Sequence, residues 1–265
     1  MTSDARAKMG HGPFRPEQLK SGDPYEISNG HAIFCAPTGG DGGGPNLRGG
    51  FVLDTDPMVK RAGVDTGFQL SPLTMRAPDV SVGDYEERPG WVKGVPPLAI
   101  EYASVGQDER ELTEKIEDLR RAGTQYLWVV RLTGPRRVEV YERSKPMRVV
   151  TSGQSLSAPG VLQNDVPIEA LYDRDAAMEV ALRNLLQRKG HESLEALQKS
   201  EREEGKAEGK AEGKASALLL ILDARGLSVS PEQRALIRST TDLASLDRWT
   251  VAALNAPSTD AALNA

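Results

Sequence analysis

The sequence predicts an α/β domain, in which helices lie against the faces of a mixed sheet, followed by an all-helical appendage. Between residues 98 and 132, two apolar runs flank a segment whose apolar residues recur at helical spacing. That order, strand then helix then strand, is typical of a mixed sheet covered by helices. Beyond residue 173 the apolar residues recur mainly at helical spacing, which predicts the appendage.

The first predicted element is a hairpin at residues 25–34, because Asn29-Gly30 between two short apolar runs is a strong turn signal. Residues 39–44 read Gly-Gly-Asp-Gly-Gly-Gly and predict a flexible connector, since the Gly-Lys-Ser/Thr of a phosphate-binding loop does not follow. The remaining predicted strands cover residues 51–53, 67–70, 80–82, 98–103, 126–132, 138–142 and 147–150. A helix is predicted from residue 107 to its cap at Gly123.

Two of the predicted strands contain or follow a carboxylate. Glu101 interrupts an apolar run, and Asp79 follows Pro78 at the head of the strand at residues 80–82. A buried carboxylate costs free energy unless it is paired or binds a metal, and two on neighbouring strands repel each other. Mg²⁺ would remove that conflict because it takes oxygen ligands, and Lys115 on the next helix would polarise an attacking water. Asp79, Glu101 and Lys115 therefore predict a site for phosphodiester hydrolysis.

These segments resemble the Uma2 group of the PD-(D/E)XK nuclease superfamily, over roughly residues 20–172. The matching pieces are Pro78-Asp79, Glu101 to Ser104, Lys115, Gly123 and Tyr126 to Val130. The resemblance implies a restriction-endonuclease-like mixed sheet flanked by helices and a DNA substrate. It also implies Mg²⁺, replaceable by Mn²⁺, held by Asp79 and Glu101, with Lys115 assisting the water.

The chain departs from the superfamily pattern at two places. The superfamily lysine normally lies two residues after the acid, where this chain has Ala103, but in the Uma2 group it moves to the helix and Lys115 matches it. Leu119 replaces a tyrosine often found on that helix. Glu26 matches an acidic residue of the family's first hairpin that approaches the metal site. The alternative interpretations are an exposed strand glutamate for Glu26 and a solvated lysine for Lys115.

The composition argues against several other classes of protein. A single cysteine, Cys35, cannot form an internal disulfide, and the histidines at positions 11, 31 and 191 lack zinc-site spacing. Apolar segments stay below the length of a membrane span, and residues 1–16 lack the apolar region of a signal peptide. We therefore expect a cytoplasmic protein without a membrane partner.

The net charge of −5 is unusual for a protein that binds nucleic acid, which normally carries a basic surplus. Local basic patches can coexist with an acidic average. Arg120-Arg121 and Arg136-Arg137 are candidates for phosphate contacts, and the alternative is that they are solvated arginines on a helix and a turn.

Four regions are predicted. They are a flexible N-terminus (1–22), the nuclease-like domain (23–172), a helix with a repeat linker (173–215) and a C-terminal helical module (216–265). In the last two regions, helices are expected at residues 175–198, 231–238 and 243–254. The first of them should bury the side that carries Met178, Leu182, Leu185 and Leu186.

Residues 204–215 repeat Glu-Gly-Lys-Ala three times. On a helix a period of four puts like charges next to each other, and each glycine costs about 1 kcal/mol relative to alanine. One interpretation is a flexible charged linker. The other is a helix whose glycine stripe admits a partner helix and whose charge stripes pair with a second copy, which predicts a homodimer through the helical tail. An unknown protein partner is also possible.

Two functions follow from the sequence. The first is a Mg²⁺-dependent DNA endonuclease that uses Asp79, Glu101 and Lys115, with Glu26 as an accessory residue. The second is a catalytically inactive nuclease-fold module that binds nucleic acid or protein. The retained acidic residues and lysine favour the first, while the acidic composition favours the second.

Overall fold

A computed structural model describes residues 12–265 of the chain. It divides into two compact units, the first ending at Gly190 and the second running from His191 to Ala265. In the described residues the first unit contains the sheets and three long helices, and the second unit is helical. The predicted α/β class with a helical appendage is confirmed.

The strands of the described chain are β1 (Tyr25–Ser28), β2 (His31–Phe34), β3 (Arg61–Val64), β4 (Phe68–Ser71), β5 (Thr74–Arg76), β6 (Val80–Gly83), β7 (Val92–Lys93), β8 (Leu98–Ala103), β9 (Tyr126–Arg131), β10 (Arg137–Glu142), β11 (Arg148–Thr151), β12 (Ser155–Leu156) and β13 (Val166–Pro167). The helices are α1 (Gly40–Thr55), α2 (Glu109–Ala122), α3 (Arg174–Arg188), α4 (Leu194–Ala224), α5 (Pro231–Ser239), α6 (Leu243–Ala253) and α7 (Thr259–Leu263). Short 3-10 helices cover Pro16–Gln18 and Ile168–Leu171.

The larger sheet has six strands in the order β11-β10-β9-β8-β6-β3. Strands β8 and β9 are parallel and are joined by α2, while the other neighbours are antiparallel. Side chains alternate along β8: Leu98, Ile100 and Tyr102 join the large core on one face, and Ala99 and Ala103 join the cluster under α2 on the other. The α2 face of β8 therefore carries small residues, which leave room for the helix.

The smaller sheet has five strands in the order β2-β1-β5-β4-β7. Its first hairpin turns at Asn29 and Gly30, whose φ angles of 47° and 82° are those of the predicted tight turn. Strand β5 belongs to this sheet and β6 to the larger one. Residues 77–79 therefore cross from one sheet to the other.

Helix α1 corrects the sequence prediction, which had a flexible connector at residues 39–44 and a strand at residues 51–53. Val52 and Leu53 are fully buried in the core, and Gly49 lies against the hydroxyl of Tyr102. Glycine and proline disfavour a helix locally, but bare glycine backbone lets this helix pack closely on the sheet. Tertiary packing therefore outweighs the local propensity.

The helix predicted at residues 175–198 is also corrected, because the structure breaks it between α3 and α4 at Gly190, whose φ is +85°. The predicted buried side is wrong as well. Met178, Leu182 and Leu185 are about half exposed, whereas α3 buries a side with Ala177, Val180, Ala181 and Asn184. Small residues are buried because α3 packs on the glycine-containing helix α1.

In the second unit, α4 extends over 31 residues and includes the whole tetrapeptide repeat. Its inner side buries Ala211, Ala215, Leu218 and Leu222 in the core of this unit. Helices α5 and α6 match the predictions for residues 231–238 and 243–254, whereas α7 was not predicted.

The N-terminal segment was expected to be flexible, and its residues 1–11, including His11, lie outside the described residues. In the described part, Leu19 is buried beside Ile27, and the indole of Trp91 donates a hydrogen bond of 2.9 Å to the carbonyl of Pro16. The four expected domain boundaries stay predictions. Among the described helices, none has the length and apolar character needed to cross a membrane.

Candidate active site

Glu101 lies in the middle of β8, on the face that α2 covers. Its neighbours on that face, Ala99 and Ala103, are small and buried. Glu101 itself is 5% exposed. Its Oε2 contacts the ammonium of Lys115 at 3.0 Å, but its Oε1 is buried and has no hydrogen-bond partner. An unpartnered carboxylate oxygen in such a place is costly and indicates a position for a ligand.

Lys115 reaches Glu101 from α2. This helix begins after Asp108, whose carboxylate accepts hydrogen bonds from the backbone at both Arg110 and Glu111, and ends at Gly123, as predicted. Because Lys115 lies beside the buried positions of the helix, its side chain points into the interface with the sheet. The ammonium has three N–H groups, and it contacts the Ala77 carbonyl at 2.7 Å, Glu101 at 3.0 Å and Glu26 at 3.1 Å.

Asp79 ends the crossover from β5 to β6. Its Oδ2 accepts a hydrogen bond of 2.6 Å from the backbone N–H of Tyr102, the residue after Glu101. Its Oδ1 is 3.4 Å from the amide nitrogen of Asn46 on α1. Antiparallel pairing of Val80 with Ile100 brings Asp79 opposite Glu101.

Glu26 lies on β1 and is buried, with 6% exposure. One of its oxygens contacts Lys115, as described, and also accepts the backbone N–H of Ala77 at 3.2 Å. The other contacts the guanidinium of Arg76 at 3.1 Å. The structure thus brings Glu26 and Glu101 each into contact with Lys115, and it places Asp79 opposite Glu101. The roles of these residues stay predictions.

The charges of this cluster are unbalanced around the lysine. Burial raises the pKa of Glu101 from 4.5 to about 8; Lys115 opposes that rise, and the charges of Asp79 and Glu26 add to it. Burial lowers the pKa of Lys115, but the attraction of Glu101, Glu26 and Asp79 is larger, so that its pKa is raised above the ordinary value. The lysine stays charged, and the raised pKa keeps Glu101 protonated at neutral pH unless a cation takes the place of the proton.

The donor set fits Mg²⁺. Asp79 and Glu101 supply carboxylate oxygens, and Mg²⁺ in proteins commonly uses one or two carboxylates and keeps several waters. Among residues 12–265, no group of three or more histidine, cysteine, aspartate or glutamate side chains is arranged to hold a metal ion. An ion here would therefore depend on two carboxylates, water and substrate oxygens, with the free Oε1 of Glu101 as one ligand.

Sequence reasoning missed several residues that surround the four predicted ones. Asn46 lies on the helix that the sequence did not predict, and its buried Oδ1 has no hydrogen-bond partner. Asp65 follows β3 with a φ of 51°, and its N–H donates to the carbonyl of Asp79 at 3.3 Å. Partial burial, and then the charge of Asp79, raise the pKa of Asp65.

Two further buried polar residues lie on the Glu26 side of the site. Arg76 is on β5 and Asp118 is on α2, and Arg76 contacts both Glu26 and Asp118. A signal existed only for Asp118, which follows Lys115 by one helical turn.

The arginines proposed as phosphate contacts already have partners. Arg121 contacts Asp118 at 3.3 Å, and Arg120 stacks over the ring of Tyr141. Arg136 lies over a tyrosine ring, and Arg137 is 3.9 Å from a glutamate. These contacts agree with the interpretation that both pairs are structural or solvated arginines.

A family model described as Uma2, putative restriction endonuclease, matches residues 15–169. The chain belongs to the Uma2 family. The match includes Glu26, Asp79, Glu101 and Lys115 and covers more than half of the sequence. Membership in the Uma2 family supports assignment of the chain as a nuclease.

The first unit also has a structural relative. The fold is similar to that of a putative nuclease belonging to DUF820 from Anabaena variabilis ATCC 29413, with a TM-score of 0.53. The match covers 62% of this chain and 99% of the other at 19% sequence identity. At that identity the likeness shows a shared nuclease fold. No curated protein matches the chain.

Proposed function

We propose that this Uma2 protein is an endonuclease that hydrolyses DNA phosphodiester bonds with Mg²⁺, which Mn²⁺ can replace. The observation that carries the proposal is the free, buried Oε1 of Glu101, next to Asp79 and in a cluster where carboxylates outnumber the single lysine. Family membership supports the reaction class.

Asp79 and Glu101 are the residues that would hold the cation. Mg²⁺ bound there would supply positive charge that stabilises the phosphate and lowers the pKa of a bound water. The backbone N–H of Tyr102 donates to Asp79 at 2.6 Å, so that both acids are tied to strand β8. The placement of both acids on one rigid strand supports an ion site there.

Lys115 contributes the positive group of the protein itself. In the hydrolysis, a water oxygen forms a bond to phosphorus and gives up a proton to solvent, while the bond to the leaving sugar oxygen breaks and that oxygen takes up a proton from solvent. Negative charge grows on the phosphate oxygens and on the leaving oxygen during this step. Each of the three N–H groups of Lys115 has a partner, so its ammonium, 3.0 Å from Glu101, would stabilise this charge electrostatically or would exchange one partner for a phosphate oxygen.

The test is cleavage of supercoiled plasmid in Mg²⁺, in Mn²⁺ and in EDTA. We expect nicking with either metal and none in EDTA. The variants Glu101→Gln and Lys115→Met should reduce the rate by about a hundredfold or more. Glu117→Gln is the matched control, since Glu117 lies on the same helix as Lys115 with a side chain that is 61% exposed. Equal nicking by Glu101→Gln and the wild type would contradict the proposed site.

The alternative, an inactive nuclease-fold module, has a distinct outcome in the same experiment. A folded wild-type protein that nicks no plasmid in either metal, yet binds duplex DNA in a fluorescence polarisation assay, would support that alternative. The net charge of −5 and the paired arginines favour weak DNA binding in the absence of metal.

The helical tail is proposed to join two copies of the chain. In the repeat, Gly205, Gly209 and Gly213 are exposed, with open space where a side chain would lie. Glutamates and lysines flank this glycine stripe on its two sides. In a parallel pair related by a two-fold axis along the helices, the glutamate side of one copy faces the lysine side of the other.

Sedimentation velocity tests this association with the full chain. We expect a dimer for the wild type and a monomer for Gly209→Leu, because a bulky side chain keeps the two helices apart. A monomeric wild type would contradict the dimer and leave a different protein as the occupant of this surface.

The proposed location is the cytoplasm, where a single reduced cysteine and a DNA substrate are both expected. Fractionation of cells that express the chain tests this location.

A further inference from the structure

We infer that Arg76, Asp118 and Ser28 form a buried positioning unit that holds Glu26 against Lys115, so that Glu26 acts through the lysine and is not a metal ligand. The catalytic part of this inference, that Glu26 acts through Lys115 in hydrolysis, rests on the proposed function. The arrangement itself can be tested without any cleavage activity.

The contacts of Glu26 leave no oxygen free. Its Oε2 is 3.1 Å from the guanidinium of Arg76. Its Oε1 accepts the N–H of Ala77 at 3.2 Å and lies 3.1 Å from the ammonium of Lys115. A metal ion would have to displace one of two cations that are already in place. Glu101 differs, because its buried Oε1 has no partner.

Arg76 fixes the direction of the Glu26 carboxylate. This arginine is 1% exposed, and its Nε donates a hydrogen bond of 2.9 Å to Asp118, while its Nη2 lies 2.8 Å from the same carboxylate oxygen without hydrogen-bond geometry. A buried guanidinium is strongly destabilising if one of its acidic partners is removed. Its planar fork also restricts where each carboxylate can lie. Glu114 is a weaker partner, 3.8 Å away with a side chain that is 41% exposed.

The unit links two sheet strands to the helix that carries the lysine. Glu26 and Ser28 point to the same side of β1, since they are two residues apart. Ile27 pairs with Met75, so Glu26 lies opposite Arg76 on the neighbouring strand β5. The hydroxyl of Ser28 donates to Asp118 at 2.7 Å, and Asp118 lies one turn after Lys115 on α2.

Through these contacts the lysine is tied to the smaller sheet, while Glu101 belongs to the larger one. The position of the ammonium between the two sheets therefore depends on Arg76 and Asp118, neither of which forms an ion pair or hydrogen bond with Lys115 itself. Loss of either residue should loosen Lys115 while the two proposed metal ligands stay in place.

The first experiment compares metal affinity with turnover, using Mn²⁺ titrations by calorimetry and plasmid nicking. For Glu26→Gln we expect turnover to fall by about tenfold or more while the Kd for Mn²⁺ stays within about twofold of the wild type. Glu101→Gln, as the matched ligand variant, should raise that Kd by about tenfold or more. An equal rise of the Kd in Glu26→Gln, or unchanged turnover, would overturn the inference.

The second experiment needs neither metal nor activity. Lysine acylation in metal-free protein is followed by mass spectrometry, with exposed Lys199 as the internal reference. We expect the labelling rate of Lys115 to rise by about fivefold in Arg76→Lys and in Asp118→Asn. That factor corresponds to the free energy of one hydrogen bond, here the contact between Glu26 and Lys115 that the unit no longer holds. Glu117→Gln, on the exposed side of the same helix, is the control that should leave the rate unchanged. Thermal melting of each variant checks that it is folded.

If Arg76→Lys does not fold, the near-isosteric Asp118→Asn decides the result. Unchanged labelling of Lys115 in a folded Asp118→Asn variant would overturn the inference. A wild-type protein that nicks no DNA would refute the proposed function only, because the labelling result would still decide whether the unit positions the lysine.

Discussion

Metal-free protein should lose stability as the pH rises from about 5 to about 8, and the Glu101→Gln variant should not. Burial raises the pKa of Glu101 from 4.5 to about 8 in the folded protein. The folded state therefore keeps a proton that the unfolded state releases. The stability that this group contributes is complete below pH 4.5 and is lost as the pH rises through 8.

The size of the effect follows from the two pKa values. Each tenfold change in a binding constant corresponds to about 1.4 kcal/mol. A pKa of about 8 in place of 4.5 thus means a total loss on the order of 5 kcal/mol, with a slope of up to about 1.4 kcal/mol per pH unit. Lys115 stays charged in this range because its pKa is raised, so it adds no slope of its own.

Urea unfolding in EDTA between about pH 5 and about pH 9 measures this loss. A Trp249→Phe background removes the indole of the helical unit, so that fluorescence reports Trp91 and buried Trp128, which both lie in the first unit. The difference between Glu101→Gln and the wild type isolates the effect of the carboxylate, and Glu117→Gln serves as an exposed control. Equal pH slopes for Glu101→Gln and the wild type would show that Glu101 is ionised in the folded protein and would refute the reasoning.

Three further outcomes are expected. The Kd for Mn²⁺ should fall by about tenfold per pH unit up to about pH 8, because binding releases one proton; a Kd independent of pH in calorimetry would contradict this. Gly49→Ala should lower the free energy of unfolding by about 1–3 kcal/mol, since its new Cβ meets the hydroxyl of Tyr102, whereas Gly43→Ala has open space and should not. Arg188→Met should cost about 2–4 kcal/mol in urea unfolding, because it removes hydrogen bonds to four backbone carbonyls; exposed Arg174→Met should cost little.

The elements that the sequence predicts well are those whose local pattern and tertiary role agree. Strand β8 is an apolar run that is buried on both faces, and α2 has helical spacing with a cap at each end. For the same reason Glu101 and Lys115 could be singled out, since a charged residue in such a run or beside such a face needs a partner.

Helix α1 shows where local reasoning fails. Its glycines and Pro45 predict a connector, and only the sheet beneath it explains why it is helical. The neighbours of the site follow the same logic. Arg76 is an ordinary surface residue type, and its burial depends on pairing between β1 and β5 that no short segment encodes. Asn46 was hidden because it lies on the helix that was not expected.

Helix α3 has a practical consequence for anyone who shortens this protein. Its Asn184 reaches the backbone of α1 at Val52, and Arg188 closes over the turn that follows that helix. A chain cut after residue 172 would leave the back of α1 open to solvent and invite aggregation, even though the acids and the lysine would all be retained. Crystallisation or NMR samples should therefore extend to residue 190, the end of the first unit.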